Sequence, residues 1–162
     1  MKKIAILRGR PTSGKSTAFH NLKKIKEMEG WIFIDHPAIK KRLGKEKAKE
    51  KLHELIKEAM KTGKNIITEE SSRKTLNKYL RKEIKKCKYR IIVFQFTVST
   101  EAAYRRDIQR AKAKWHPFLG KKKIEELHKM HDEMFDKKAF LVDTDKLNKK
   151  EVVELIIKKL TN

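Results

Sequence analysis

The stretch that decides how this chain is read is Lys3-Ile4-Ala5-Ile6-Leu7-Arg8-Gly9-Arg10-Pro11-Thr12-Ser13-Gly14-Lys15-Ser16-Thr17. Ile4 to Leu7 is a short, uninterrupted apolar run, the pattern of a strand buried on both faces. Gly9 to Thr17 then matches G-x-x-x-x-G-K-[ST] directly after that strand, where a helix opens. Glycines at 9 and 14 permit the backbone angles and close approach by which successive N–H groups point at phosphate oxygens, and the helix N-terminus adds its dipole. Lys15 is placed to bridge β and γ phosphates, and the Ser16 hydroxyl to ligate magnesium. Gly9, Arg10, Pro11, Thr12, Ser13, Gly14, Lys15, Ser16 and Thr17 are thus the expected nucleotide-binding residues, with ATP or GTP and Mg2+ as the expected cofactors.

Working outward, four further β-rich runs follow: Trp31 to Asp35, Asn65 to Glu69, Arg90 to Val98 and Ala139 to Asp143. Helical stripes lie between and after them. Ala48, Leu52, Leu55, Ile56, Ala59 and Met60 form one; Leu76, Tyr79, Leu80 and Ile84 a second; Val152, Val153, Ile156, Ile157 and Leu160 a third, with Asn148 as its N-cap. Strand followed by helix, five times over, predicts an α/β three-layer sandwich around a five-stranded parallel sheet, built as one domain over residues 1–162. Ala111 to Lys123, with Trp115-His116-Pro117 and Gly120, reads as a mobile loop between two helices.

The chain has 162 residues, enough for one core, and 38% of them are hydrophobic. Its single cysteine, Cys87, excludes an intrachain disulfide, and its opening residues do not form a secretory signal. The longest apolar stretch, Ile91 to Val98, is far shorter than the roughly 20 residues of a membrane helix. A cytoplasmic protein with no membrane partner is expected. A formal charge of +22 draws in polyanions, so nucleic acid is the expected partner; a lysine-rich composition without such a role is the alternative.

A guanine-specifying N-K-x-D does not follow the fourth strand, which runs into Ser99-Thr100-Glu101. Motor and transporter ATPases usually end a strand in Asp or Asp-Glu; here the third run ends in Thr68-Glu69-Glu70. A small phosphotransferase fits better, with an acidic residue ending the second strand and a basic lid between late helices. Asp35 then accepts the proton of an attacking hydroxyl, or else caps the loop before His36-Pro37. Lys40, Lys41 and Arg42, in the loop after it, face acceptor phosphate. Glu69 orients a metal-bound water or the acceptor, and Glu70 faces solvent. Arg106 and Arg110, four apart on one helix face, close over the transferring phosphoryl group, or else form a solvated basic face. Residues 105–123 hold eight Lys/Arg against one Asp, with Trp115 and Phe118 among them, as suits a lid whose aromatics stack on single-stranded bases or else pack within the lid.

The opening strand with Gly9 to Thr17, Asp35, the acidic end of strand three and the Arg106-x-x-x-Arg110 pair resemble the kinase module of the bacteriophage polynucleotide 5′-kinases and related P-loop kinases. The resemblance covers most of the chain up to about Arg110. It implies Asp35 as general base, Lys41 or Arg42 on the acceptor's 3′-phosphate, Arg110 on the γ phosphate, and a hydroxyl of a nucleic acid as acceptor. The family carries an arginine about three residues after the aspartate, where this chain has Ala38. Kinases of small metabolites or nucleosides, and nucleic-acid-binding NTPases, are the alternative readings.

Two groups remain. His128 and His131, with Asp132 beside them, have helical spacing and read as inert residues of a surface helix rather than metal ligands. Cys87 reads as structural.

Overall fold

The computed structural model describes residues 1–70, 75–114, 117–133 and 137–161, with the side chains of 75–79 and 81 outside that description. Trp115 and His116 of the expected lid, and the side chains of Leu76 and Tyr79, lie outside the described residues.

Five strands form one all-parallel sheet: β1 (Lys2–Gly9), β2 (Ile32–Ile34), β3 (Ile66–Glu70), β4 (Tyr89–Thr97) and β5 (Phe140–Asp143), in the order β2-β3-β1-β4-β5. Parallel strands need crossover connections, and these are supplied by α1 (Lys15–Leu22), α2 (His36–Leu43), α3 (Lys45–Lys61), α4 (Thr75–Lys86), α5 (Thr100–Lys112), α6 (Lys121–Asp132) and α7 (Lys149–Thr161).

Side chains alternate across a strand, so β1 divides the core. Ala5 and Leu7 join Phe19 and Leu22 of α1 and Val152, Val153 and Ile156 of α7 on one side. Ile4 and Ile6 join Leu52 and Ile56 of α3 and Leu80 and Ile84 of α4 on the other. Helix, sheet, helix is the expected sandwich. Asn148 caps α7 as expected: its Oδ1 accepts from the Lys150 and Glu151 N–H groups, and the Glu151 carboxylate accepts from the Asn148 N–H in return. Among the described residues no helix is long and apolar enough to cross a membrane.

Three local expectations are corrected. The segment after β2 is helix α2 rather than a loop: Asp35 Oδ1 accepts from the Ala38 N–H at 2.9 Å and Pro37 sits in the first turn, both helix-starting features. Lys40, Lys41 and Arg42 therefore lie on a helix. Between α5 and α6 the connection shortens to residues 113–120, and Lys121 to Lys123 form the first turn of α6. Its end is tied down, since buried Asp107 accepts hydrogen bonds from the Leu119 and Gly120 N–H groups, both at 3.0 Å. Glu70 does not face solvent. It is 1% exposed and pairs with Arg8 at 3.2 Å, because strand alternation turns it to the α3–α4 side while Glu69 turns to the α1 side.

Candidate active site

All the strands of a parallel sheet end at one edge, and the chemistry-bearing residues gather there. Gly9 pairs with Phe96 of β4 and holds φ +143°; a Cβ on it would lie 2.1 Å from the Phe96 carbonyl oxygen, so no other residue fits. Gly14, with φ +87°, turns the loop into α1. Inside the loop, Lys15 Nζ donates to the carbonyls of Gly9 and Arg10 at 3.0 and 2.8 Å and approaches Ser13 Oγ at 3.4 Å. Burial pulls the Lys15 ammonium down to about 8; the neighbouring Glu69 opposes this and Arg110 adds to it.

Ser16 Oγ donates to Glu69 Oε1 at 2.8 Å. Burial raises the Glu69 carboxyl above its ordinary value, against the pull of Lys15 and the Ser16 hydrogen bond. A hydroxyl and a carboxylate side by side beneath the phosphate loop are hard oxygen donors, the set that suits Mg2+. Asp35 stands one strand further out, close enough for its charge to act on Glu69, with His20 Nε2 at 3.9 Å from its free Oδ2. The cap uses Oδ1 and leaves Oδ2 outside that hydrogen bond.

A cavity of about 420 Å³ opens beside Asp35. Ile32, Phe33, Ile34, Ala38, Ile39 and Leu55 make its walls apolar, and Arg42 is its cation. Asp35, Ala38, Ile39 and Arg42 fall on one face of α2 by helical spacing; Lys41 does not and is exposed. Of Lys40, Lys41 and Arg42, Arg42 lines the same cavity as Asp35 and the two lysines do not.

Arg106 turns toward the phosphate loop. Arg106 donates to the Thr12 carbonyl at 3.2 Å and to Thr144 Oγ1 and carbonyl at 2.9 and 2.8 Å, joining the loop to the segment after β5. Arg110 lies near enough to Lys15 to lower its proton affinity. A polar cleft of about 530 Å³ runs past Arg106 between Ser99, Ala102, Arg105, Gln109, Thr144 and Asp145, on the far side of the loop from Asp35.

Helix α6 was not expected here. Arg10, the first variable residue of the loop, points its side chain at Asp132 rather than along the loop: Nη2 lies 2.6 Å from both carboxylate oxygens and Nε 3.0 Å from Oδ1, while Nη1 donates to the Val98 carbonyl at 2.8 Å. His128 is 4% exposed, so its expected place on the surface is corrected. The signal was present in sequence as His128-x-x-His131-Asp132, but the partner across from it was not.

No protein-family model matches the sequence, and no curated protein is similar to it in sequence. Solved structures are similar in fold. The tunicamycin resistance protein of Deinococcus radiodurans superposes with a TM-score of 0.70 at 14% identity, over 99% of this chain and 96% of that one. A sugar kinase from Janibacter sp. gives 0.67 at 13% identity, over 99% and 95%. A chain of the Pnkp1/Rnl/Hen1 RNA repair complex gives 0.60 at 21% identity, over 85% of this chain and 47% of that one. The fold is that of the P-loop kinases. At these identities the likeness is one of fold alone, and it is shared by kinases of small molecules and by a chain of an RNA repair assembly.

Proposed function

We propose that this chain is an ATP- and magnesium-dependent phosphotransferase that moves the γ-phosphoryl group onto a hydroxyl, and that the acceptor is a nucleic acid or a fragment of one. The observation that carries the first part is the grouping of Lys15, the Ser16–Glu69 pair and Asp35 at one sheet edge. Lys15 holds the β and γ phosphates; Ser16, with Glu69 behind it, holds magnesium. The metal when bound neutralises charge on the phosphates. Asp35 takes the proton of the incoming hydroxyl through its free oxygen and fixes that oxygen toward the γ phosphorus. Arg110 offers cationic charge to the transferring group, and Arg106 keeps the loop in shape beside the polar cleft that takes the nucleoside. ATP is the expected donor; GTP fits the same phosphate contacts.

The nucleic-acid part is supported by the charge of +22, by Arg42 within the Asp35 cavity, and by exposed Phe118 in a basic segment. One observation favours a small-metabolite acceptor instead: the cavity beside Asp35 has apolar walls and a volume suited to one ring system. The two readings separate when γ-labelled ATP is offered with 5′-hydroxyl RNA and DNA oligonucleotides beside nucleosides, sugars and aromatic alcohols. Label on oligonucleotides supports the first acceptor class; label on the small alcohols alone replaces it with the second.

A further inference from the structure

The α6 face that carries His128, His131 and Asp132 has no part in the assignment above, yet it is seated on the phosphate loop. Three observations fix its place. The Arg10–Asp132 fork joins the last turn of α6 to the first variable residue of the loop. Such two-pronged pairing sets orientation as well as distance. One turn earlier His128 is 4% exposed, with Nδ1 3.4 Å from Thr100 Oγ1 of α5. Its ring also donates to the Pro11 carbonyl of the phosphate loop. His131 lies on the same turn as Asp132, half-buried, and Lys15 is the charge that acts on it most strongly.

Lys15 is the residue that reaches the β and γ phosphates. Whatever stands against Lys15 therefore stands beside the β and γ phosphates of a bound triphosphate.

We propose that the His128–His131 face of α6 is a wall of the γ-phosphate site, with His131 donating a ring N–H to the γ-phosphoryl group and Asp132, through Arg10, seating the helix that presents it. The proposal rests on the nucleotide reading given above. In the free protein the groups facing His131 are Lys15 and Arg10 of the loop and His128 and Asp132 of its own helix. Burial first, and then Lys15, pull its imidazole down to about 4, so it stands neutral at pH 7 with one N–H to give. A neutral donor at this position adds no charge repulsion toward Lys15 while the site is empty.

The test is calorimetric titration of the full chain with MgATP and with MgADP, for the wild type, His131→Ala and His131→Gln, with circular dichroism to verify folding. Loss of one hydrogen bond to a charged oxygen is worth about tenfold or more in affinity. The expected result is that His131→Ala weakens MgATP about tenfold and MgADP less than about twofold, and that His131→Gln, which keeps an N–H donor, recovers part of the difference. Equal weakening of both nucleotides, or no change in either, overturns the proposal while leaving nucleotide binding intact. Should His131→Ala fail to fold, the His131→Gln and Asp132→Asn variants carry the test: an unchanged ATP-to-ADP affinity ratio in both overturns it. A wild type that binds neither nucleotide overturns the nucleotide reading, and this proposal with it.

Discussion

Ser16 and Glu69 lie 53 residues apart in the chain and 2.8 Å apart in the fold, hydroxyl to carboxylate, beneath the loop that carries Lys15. The contact follows from the sheet. β3 lies beside β1, and strand alternation turns Glu69, but not Glu70, toward the N-terminus of α1. Replacing Glu69 with Gln keeps a partner for Ser16 but removes the charge offered to magnesium. The expected outcome is a rise of about tenfold or more in the magnesium concentration needed for half-maximal turnover, with nucleotide binding in the absence of metal little changed. A magnesium titration of the two proteins checks it.

Lys15 carries a stability cost that has a defined pH window. Its folded pKa, about 8, lies below its ordinary 10.5, so the folded state binds fewer protons than the unfolded one between those values. Stability contributed by this group therefore rises with pH across the window and is least below about pH 8, where both states hold the ammonium. Lys15→Met, which stands in for the neutral side chain, should melt above the wild type at pH 7 without nucleotide. That advantage should fade as pH climbs toward 10.5. The same variant should lose the thermal shift produced by MgATP. Melting curves at several pH values, with and without nucleotide, measure both.

The strands and the phosphate loop were readable because each depends on local pattern: uninterrupted Ile, Val, Phe and Leu for burial on two faces, and glycine at position 9, where backbone approaches backbone, and at position 14, where φ is +87°. Helix α2 was hidden by Asp35-His36-Pro37, which reads as a turn, although a capping Asp with Pro two residues on is also how helices begin. Counting parity from Ile67 would have separated Glu69 from Glu70. The seat of α6 against the phosphate loop was not legible. Arg10 and Asp132 are 122 residues apart, and no periodicity within either segment reports that they meet.

Arg106 bridges Thr12, a non-glycine residue held at φ +57°, to Thr144. Left-handed backbone at such a residue costs about 1 to 3 kcal/mol and persists only where surroundings hold it. Arg106→Ala should weaken MgATP binding about tenfold and lower the melting temperature by a few degrees. Arg106→Lys should restore little, since one ammonium cannot span three acceptors. Binding isotherms and melting curves of the two variants test this together.

The lid contributes charge unequally. Lys121 pairs with Glu101 at 2.6 Å and Lys123 with Glu126 at 3.0 Å, all of them exposed, so each of these pairs is worth little to stability. Phosphates of a single strand would compete with the carboxylates. If the acceptor is a polynucleotide, log K should fall with log salt at a slope of roughly −0.7 per phosphate contacted. Replacing Lys121, Lys122 and Lys123 together should flatten that slope and weaken all sequences alike. A wild type whose affinity ignores salt would favour the small-metabolite acceptor.

The fate of the γ phosphorus tests the central claim most directly. With γ-labelled ATP, magnesium and the acceptor panel, thin-layer separation should place label on a hydroxyl-bearing product. Lys15→Ala should abolish that spot, and Asp35→Asn should bind ATP normally while its turnover falls by about 10²-fold or more. Label found only in inorganic phosphate, or an Asp35→Asn protein as fast as the wild type, would contradict the account.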